Sequence, residues 1–181
     1  MKGLLLLAND CEDLEAIGTK ALLERAELEV LTATFNSDKK VSCYYGTVVE
    51  ADLDANEIEV DDFDFLVVPG GMYVSREIKE DKIIKPLIKR FANKNKLVAA
   101  ICAAPMFLGD LGLLKNKNYT IFPGCESESY RGNLKQQFKA VTDGNIVTGR
   151  SVGGVFEFSY EIVKYLKGIE NAEALLTKAI Y

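Results

Sequence analysis

A chain of 181 residues, 48% hydrophobic and 27% charged, is long enough to bury one well-formed core and ordinary for a soluble globular protein. Its net charge of −5 supplies no basic footprint for nucleic acid or an anionic membrane, and no apolar run approaches the roughly 20 residues of a spanning helix. It has no histidine, which excludes a Cys–His dyad, a Ser–His–Asp triad and a histidine metal site within the chain. Any proton transfer must use a carboxylate, lysine, tyrosine, a thiol or water.

The pattern predicts a first strand over residues 3–8, too short and too poorly flanked to be a signal peptide. It ends in the polar turn Asn9-Asp10-Cys11-Glu12-Asp13, and apolar residues at helical spacing then predict a helix over 14–26. Glu12, Asp13 and Glu15 suit a helix N-terminus as carboxylates facing a dipole; Glu15 also follows the mouth of the first strand. A second strand over 28–35 completes a β–α–β return. Residues 41–43 and 47–49 flank Tyr44-Tyr45-Gly46 as a hairpin, and 52–62 reads as an acidic connection whose charges face water. A third core strand, 63–68, runs into Pro69-Gly70-Gly71. That glycine pair is either an ordinary tight turn or a place where backbone N–H groups approach a bound group. An amphipathic helix is expected over 83–91.

Leu97 to Ile101 is an unbroken apolar run, as expected of a strand buried on both faces of a parallel sheet. Cys102 follows at once, and helical spacing resumes over 103–114 with Pro105 early, where a helix tolerates it. This strand–turn–helix layout is that of a nucleophile elbow with cysteine as its nucleophile. A thiol there faces the positive end of the helix dipole, which predicts a lowered pKa. The competing reading is an inert cysteine packed beside alanines. Beyond it come a strand over 119–122, a polar loop over 127–137, a hairpin around Asp143-Gly144 with strands 138–141 and 146–148, and helices over 155–166 and 172–179. The four cysteines, at 11, 43, 102 and 125, are too dispersed for a disulfide framework or zinc site, and the cytoplasm is the natural compartment.

Alternating strands and helices imply one α/β domain over residues 1–181: a three-layer sandwich with a mainly parallel sheet flanked by helices. Such sheets bind ligands beyond the carboxyl ends of their strands. Three punctuated strand ends meet there: residues 9–15, Gly70-Gly71 and Cys102. A carboxylate, backbone donors and a thiol form a kit for base or acid, oxyanion hole and nucleophile.

The same residues resemble the DJ-1/PfpI (ThiJ) superfamily over nearly the whole chain: the acidic turn after the first strand, Pro69-Gly70-Gly71, the hexapeptide Ala100-Ile101-Cys102-Ala103-Ala104-Pro105, and the helix start Phe156-Glu157-Phe158. The resemblance implies a flavodoxin-like fold of the class I glutamine amidotransferase type. It makes Cys102 an oxidisable nucleophile and Glu15 its proton or hydrogen-bond partner, with the N–H of Gly71, joined by that of Ala103, lining the oxyanion site. Ala103 is similar to the DJ-1 branch, whereas PfpI-type members carry histidine there. DJ-1 itself has histidine at the place of Phe122, and 122–126 is closer to bacterial members of that branch. Gly70, Phe122, Cys125 and Arg150 are further pocket candidates; a surface or packing role is the simpler reading of Cys125, and a structural ion pair that of Arg150. The expected activity is of the glyoxalase III or deglycase type, on methylglyoxal or its early adducts with proteins, without metal or organic cofactor. Two other expectations stand beside it: a redox sensor or chaperone in oxidative stress, acting through oxidation of Cys102, and thiazole monophosphate biosynthesis. The resemblance further implies a homodimer, for which the 41–49 hairpin is the candidate contact.

Overall fold

The computed structural model describes residues 1–181. Its centre is a seven-stranded sheet built from β1 (Lys2–Leu7), β2 (Glu29–Thr34), β5 (Leu53–Asp54), β6 (Phe65–Val68), β7 (Leu97–Ile101), β10 (Ala140–Asp143) and β11 (Ile146–Gly149). Two small ribbons stand apart: β3 (Lys40–Ser42) with β4 (Val48–Glu50), and β8 (Asn118–Tyr119) with β9 (Asn133–Leu134). In space the sheet runs β10-β11-β7-β6-β1-β2-β5. All neighbours are parallel except the edge hairpin β10–β11. The chain leaves β1 towards β2 and β5, then returns across β1 to lay down β6 and β7. That reversal puts the switch point at the carboxyl ends of β1 and β6, where open α/β sheets form their ligand crevice.

The helices are α1 (Thr19–Arg25), α2 (Met72–Glu77), α3 (Ile84–Asn93), α4 (Pro105–Asp110), α5 (Val155–Lys167) and α6 (Ile169–Ala179). Helix α5 packs on β10 and β11 and contacts α1 and α6, while α3 and α4 pack together against β7. The result is the expected three-layer α/β sandwich. All five residues of β7 are buried, as a central strand covered on both faces requires. Helix α3 turns Ile84, Leu87, Ile88 and Phe91 inward, each worth about 1.5–3 kcal/mol of burial. The Asp81 carboxylate caps it by accepting the N–H groups of Ile83 and Ile84 at 3.1 and 2.8 Å.

Several expectations are corrected. The acidic connection over 52–62 does not merely face water: it contributes edge strand β5, and the Asp52 carboxylate accepts both the N–H and the hydroxyl of Thr32, at 2.8 and 2.7 Å. Helix α2 was not foreseen. Helix α4 stops at Asp110 rather than 114, and the strand expected over 119–122 shrinks to β8. No helix is long and apolar enough to cross a membrane.

Candidate functional site

Cys102 leaves β7 into the elbow with φ = 64°, a conformation that costs a non-glycine residue of order 1–3 kcal/mol and is held by its surroundings. Its N–H donates to the Gly149 carbonyl at 2.9 Å, and its own carbonyl accepts the Phe122 N–H at 2.8 Å. The elbow is thus pinned from β11 on one side and from the 122–125 turn on the other.

Glu15 reaches the same place from β1. Residues Leu14–Gly18 form a π-turn before α1, a widened helical turn often found at functional sites. The turn leaves Leu14 and Ile17 exposed while Glu15 is completely buried. The three carboxylates read as one helix-end cluster divide their work. Glu12 Oε2 accepts the Glu15 N–H at 2.6 Å. Asp13 turns away and accepts the N–H groups of Tyr45 and Thr47, at 2.8 and 3.2 Å, tying the β3–β4 hairpin to the site. Glu15 points inward, where its Oε2 accepts the Gly70 N–H at 2.9 Å and its Oε1 has no hydrogen-bond partner of good geometry.

Gly70 packs against both the Glu15 carboxyl and Cys102. A Cβ at Gly70 would come within 2.5 Å of Cys102 Cβ and 2.7 Å of Glu15 Oε2, so no side chain fits. Gly71 has φ = 125° and lies so close to the Asp10 carbonyl that a Cβ would sit 2.3 Å from it. The strand end is fixed from behind by buried Tyr73, whose hydroxyl donates to the Pro69 carbonyl at 2.6 Å. Neither the Gly71 nor the Ala103 N–H donates to a backbone carbonyl.

Burial pushes the Glu15 pKa up to about 7, and the Glu12 carboxylate pushes the same way, against the Cys102 thiol and the Gly70 and Val152 N–H groups that favour its ionised form. Burial, then the Glu15 charge, raise the Cys102 thiol far above its ordinary value, with only the Ala103 N–H pulling it back. This overturns the lowered pKa expected of a helix-end thiol: α4 has six residues and begins three positions later, and burial beside a carboxylate outweighs a short dipole. The two groups are coupled. A charged sulfur is favoured when the proton rests on Glu15, where it removes the repelling charge.

Sulfur and carboxyl open onto a cleft of about 300 Å³, whose lining includes Gly71, Ala103, Phe122, Cys125, Tyr44 and Tyr45. Of the further candidates, Phe122 and Cys125 line it, and Gly70 lies behind it against the Glu15 carboxyl. Arg150 does not: its guanidinium donates to the Gln136 carbonyl at 3.0 Å, bracing a loop, and it forms no ion pair. The cleft also has members that sequence reasoning passed over, Met72, Ser75, Ser151 and Val152. The first two ride on the unforeseen α2, and the last two begin the turn into α5. A larger groove of about 380 Å³ between Phe138, Tyr160 and Tyr181 holds the Lys139–Glu157 ion pair and no thiol.

The family profile described as "DJ-1/PfpI family" matches residues 1–165. "Protein dj-1beta" of Drosophila melanogaster is 30% identical over 171 residues, 94% of this chain and 91% of that protein. "Deglycase PfpI" of Pyrococcus furiosus is 33% identical over 168 residues, 92% of this chain and all of that protein. Among solved structures, Drosophila melanogaster DJ-1beta superposes with a TM-score of 0.88 at 29% identity, covering 99% of this chain and 97% of its own. The chain belongs to the DJ-1/PfpI family.

Proposed function

We propose that this protein is a cysteine-dependent deglycase or glyoxalase acting on methylglyoxal or on its early adducts with protein amines and thiols. The observation that carries the reading is the pairing of buried Glu15 with Cys102 beside Gly70 at the wall of an open cleft. Glu15 takes the thiol proton as Cys102 Sγ attacks the aldehyde carbon, and the N–H groups of Gly71 and Ala103 receive the developing oxyanion. Protonation of that oxygen completes a hemithioacetal. Glu15 then moves a proton from the first carbon to the second, giving a lactoyl thioester, and water releases lactate and the free thiol. A carboxyl with a pKa of about 7 suits both directions of transfer near neutrality. The relatives named deglycases support the reading. The cleft lining includes Glu12 and Glu15 and no lysine or arginine, which weighs against a phosphorylated substrate such as thiazole monophosphate.

Lactate formation from methylglyoxal tests the proposal. Cys102→Ser should abolish it, and Glu15→Gln should lower it by at least about 100-fold, the scale of a lost general acid–base. Wild-type turnover in Glu15→Leu would remove Glu15 from the mechanism. We further propose a cytoplasmic homodimer, supported by the exposed Tyr44, Tyr45 and Val48 of the hairpin. Light scattering at micromolar concentration should give twice the 20.0 kDa chain mass, and the chain mass itself would refute it.

A further inference from the structure

Away from the cleft, Cys11 and Cys43 meet in the interior, Sγ to Sγ at 3.6 Å. They come from two separate pieces of chain. Cys11 sits in the turn after β1, where its N–H donates to the Ala8 carbonyl at 3.0 Å. Cys43 follows β3, in the ribbon β3–β4 that stands apart from the main sheet. Backbone hydrogen bonds tie the two pieces on both sides of the sulfurs: Asp10 N–H to the Ser42 carbonyl at 2.8 Å, and Tyr44 N–H to the Cys11 carbonyl at 2.9 Å. Segments bonded in this way run about 5 Å apart, a separation that a disulfide spans without backbone movement. With the ribbon closed the contact is packing only, because both thiols are sealed from solvent. The ribbon itself is lightly held. Every residue from Tyr44 to Val48 is exposed. Its other ties to the turn are the Asn9 side-chain oxygen, which accepts the Ser42 N–H at 3.0 Å, and the Asp13 carboxylate on Tyr45 and Thr47. A short exposed element of this kind opens locally at far less cost than global unfolding.

We infer that Cys11 and Cys43 are a modification site: a reversible disulfide, formed by exchange with a small-molecule disulfide, that latches the β3–β4 hairpin to the turn after β1. When the ribbon opens, Cys43 loses its proton to water and its sulfur attacks the small disulfide. A mixed disulfide forms, the small S–S bond breaks, and the departing thiolate takes up a proton. When the ribbon closes, Cys11 Sγ attacks Cys43 Sγ. The protein S–S bond forms, and a second small thiol leaves with the Cys11 proton. Two electrons have passed from the pair to the small disulfide, which leaves as two thiols; an excess of small thiol reverses both steps. The latch joins the turn that leads to Glu15 to the hairpin whose Tyr44 and Tyr45 line the cleft, so the redox state of the pair sets how firmly that wall is held. It uses neither Cys102 nor Glu15 and stands apart from the proposed deglycase chemistry.

The test incubates the full-length protein with excess oxidised glutathione, quenches with iodoacetamide and maps peptides by mass without reductant. Wild type should give a Cys11–Cys43 cross-linked peptide lacking two hydrogens, reversed by dithiothreitol and absent from Cys43→Ser. Hydrogen exchange at the Tyr44, Tyr45 and Thr47 amides should slow at least about tenfold in the cross-linked protein, as local opening is suppressed. Cys11 and Cys43 remaining free thiols, or each carrying its own glutathione, under conditions that oxidise the urea-unfolded chain would overturn the inference. A cross-link that leaves hairpin exchange unchanged would overturn the latch.

Discussion

The protein holds two pairs of thiols, and they are arranged in opposite ways. Cys11 and Cys43 touch, Sγ to Sγ at 3.6 Å, and are 0% and 4% exposed. Cys102 and Cys125 share a cleft wall and are both reachable from solvent. In the first pair burial raises both thiols and no buried carboxyl serves as a base: the Asp13 carboxylate turns to the hairpin backbone. In the second, a buried carboxyl stands ready to accept the proton of one member. Proximity alone is a packing property. Chemistry needs access and a place for the proton as well.

The largest expected effect tests that division directly. In the native protein, iodoacetamide should label Cys102 and Cys125 more than ~100-fold faster than Cys11 and Cys43, which become available only on local opening. Mass spectrometry finding Cys11 or Cys43 modified first would collapse the distinction.

The next effect comes from the charge that only the open pair possesses. Folding raises the Glu15 pKa from 4.5 to about 7, so the folded state holds a proton that the unfolded chain has released between those values. Stability therefore falls as pH rises through that window and stays lower above it. Glu15→Gln should be the more stable protein at pH 8, by on the order of 2–3 kcal/mol, and the advantage should disappear below about pH 4.5. Denaturant titrations across pH that show a constant difference would place no such cost on Glu15.

The same substitution should sharpen the contrast in reactivity. With the repelling carboxylate gone, Cys102 in Glu15→Gln should alkylate about tenfold faster at pH 8, a shift of roughly one pKa unit, while Cys11 is unchanged. Equal rates in wild type and variant would mean the two groups do not interact. The smallest effect concerns the closed pair: Cys43→Ala should cost about 1 kcal/mol in lost packing and leave methylglyoxal turnover intact. Loss of turnover in a well-folded Cys43→Ala would give the buried pair a part in the chemistry.

Much of this is legible in the sequence. The run Leu97–Ile101 matches β7 residue for residue, because full burial on both faces demands an unbroken apolar run and Cys102 ends it. The Asp143-Gly144 hairpin and α5 were legible from local chemistry. Elements that exist only through their neighbours were not. Strand β5 is two residues paired with the end of β2, and α2 is six residues started by the left-handed Gly71. Within the site, Glu15 stood out by its place after β1. The raised thiol did not, because the helix dipole is visible in a sequence and the depth of a pocket is not. Arg150 misled for a similar reason, since a backbone carbonyl partner leaves no mark in the side-chain pattern.

The π-turn at Leu14–Gly18 carries a consequence of its own. A π-turn holds one residue more than a regular α-helical turn would need, and each residue of an α-helix advances the side chain by about 100°. Deleting one residue between Leu14 and Gly18 should yield a more regular helix whose carboxylate is swung out of the cleft wall. The extra residue thus reads as an insertion kept for what it aims. A shortened chain of this kind should melt no lower than its parent while losing the buried acid beside the sulfur.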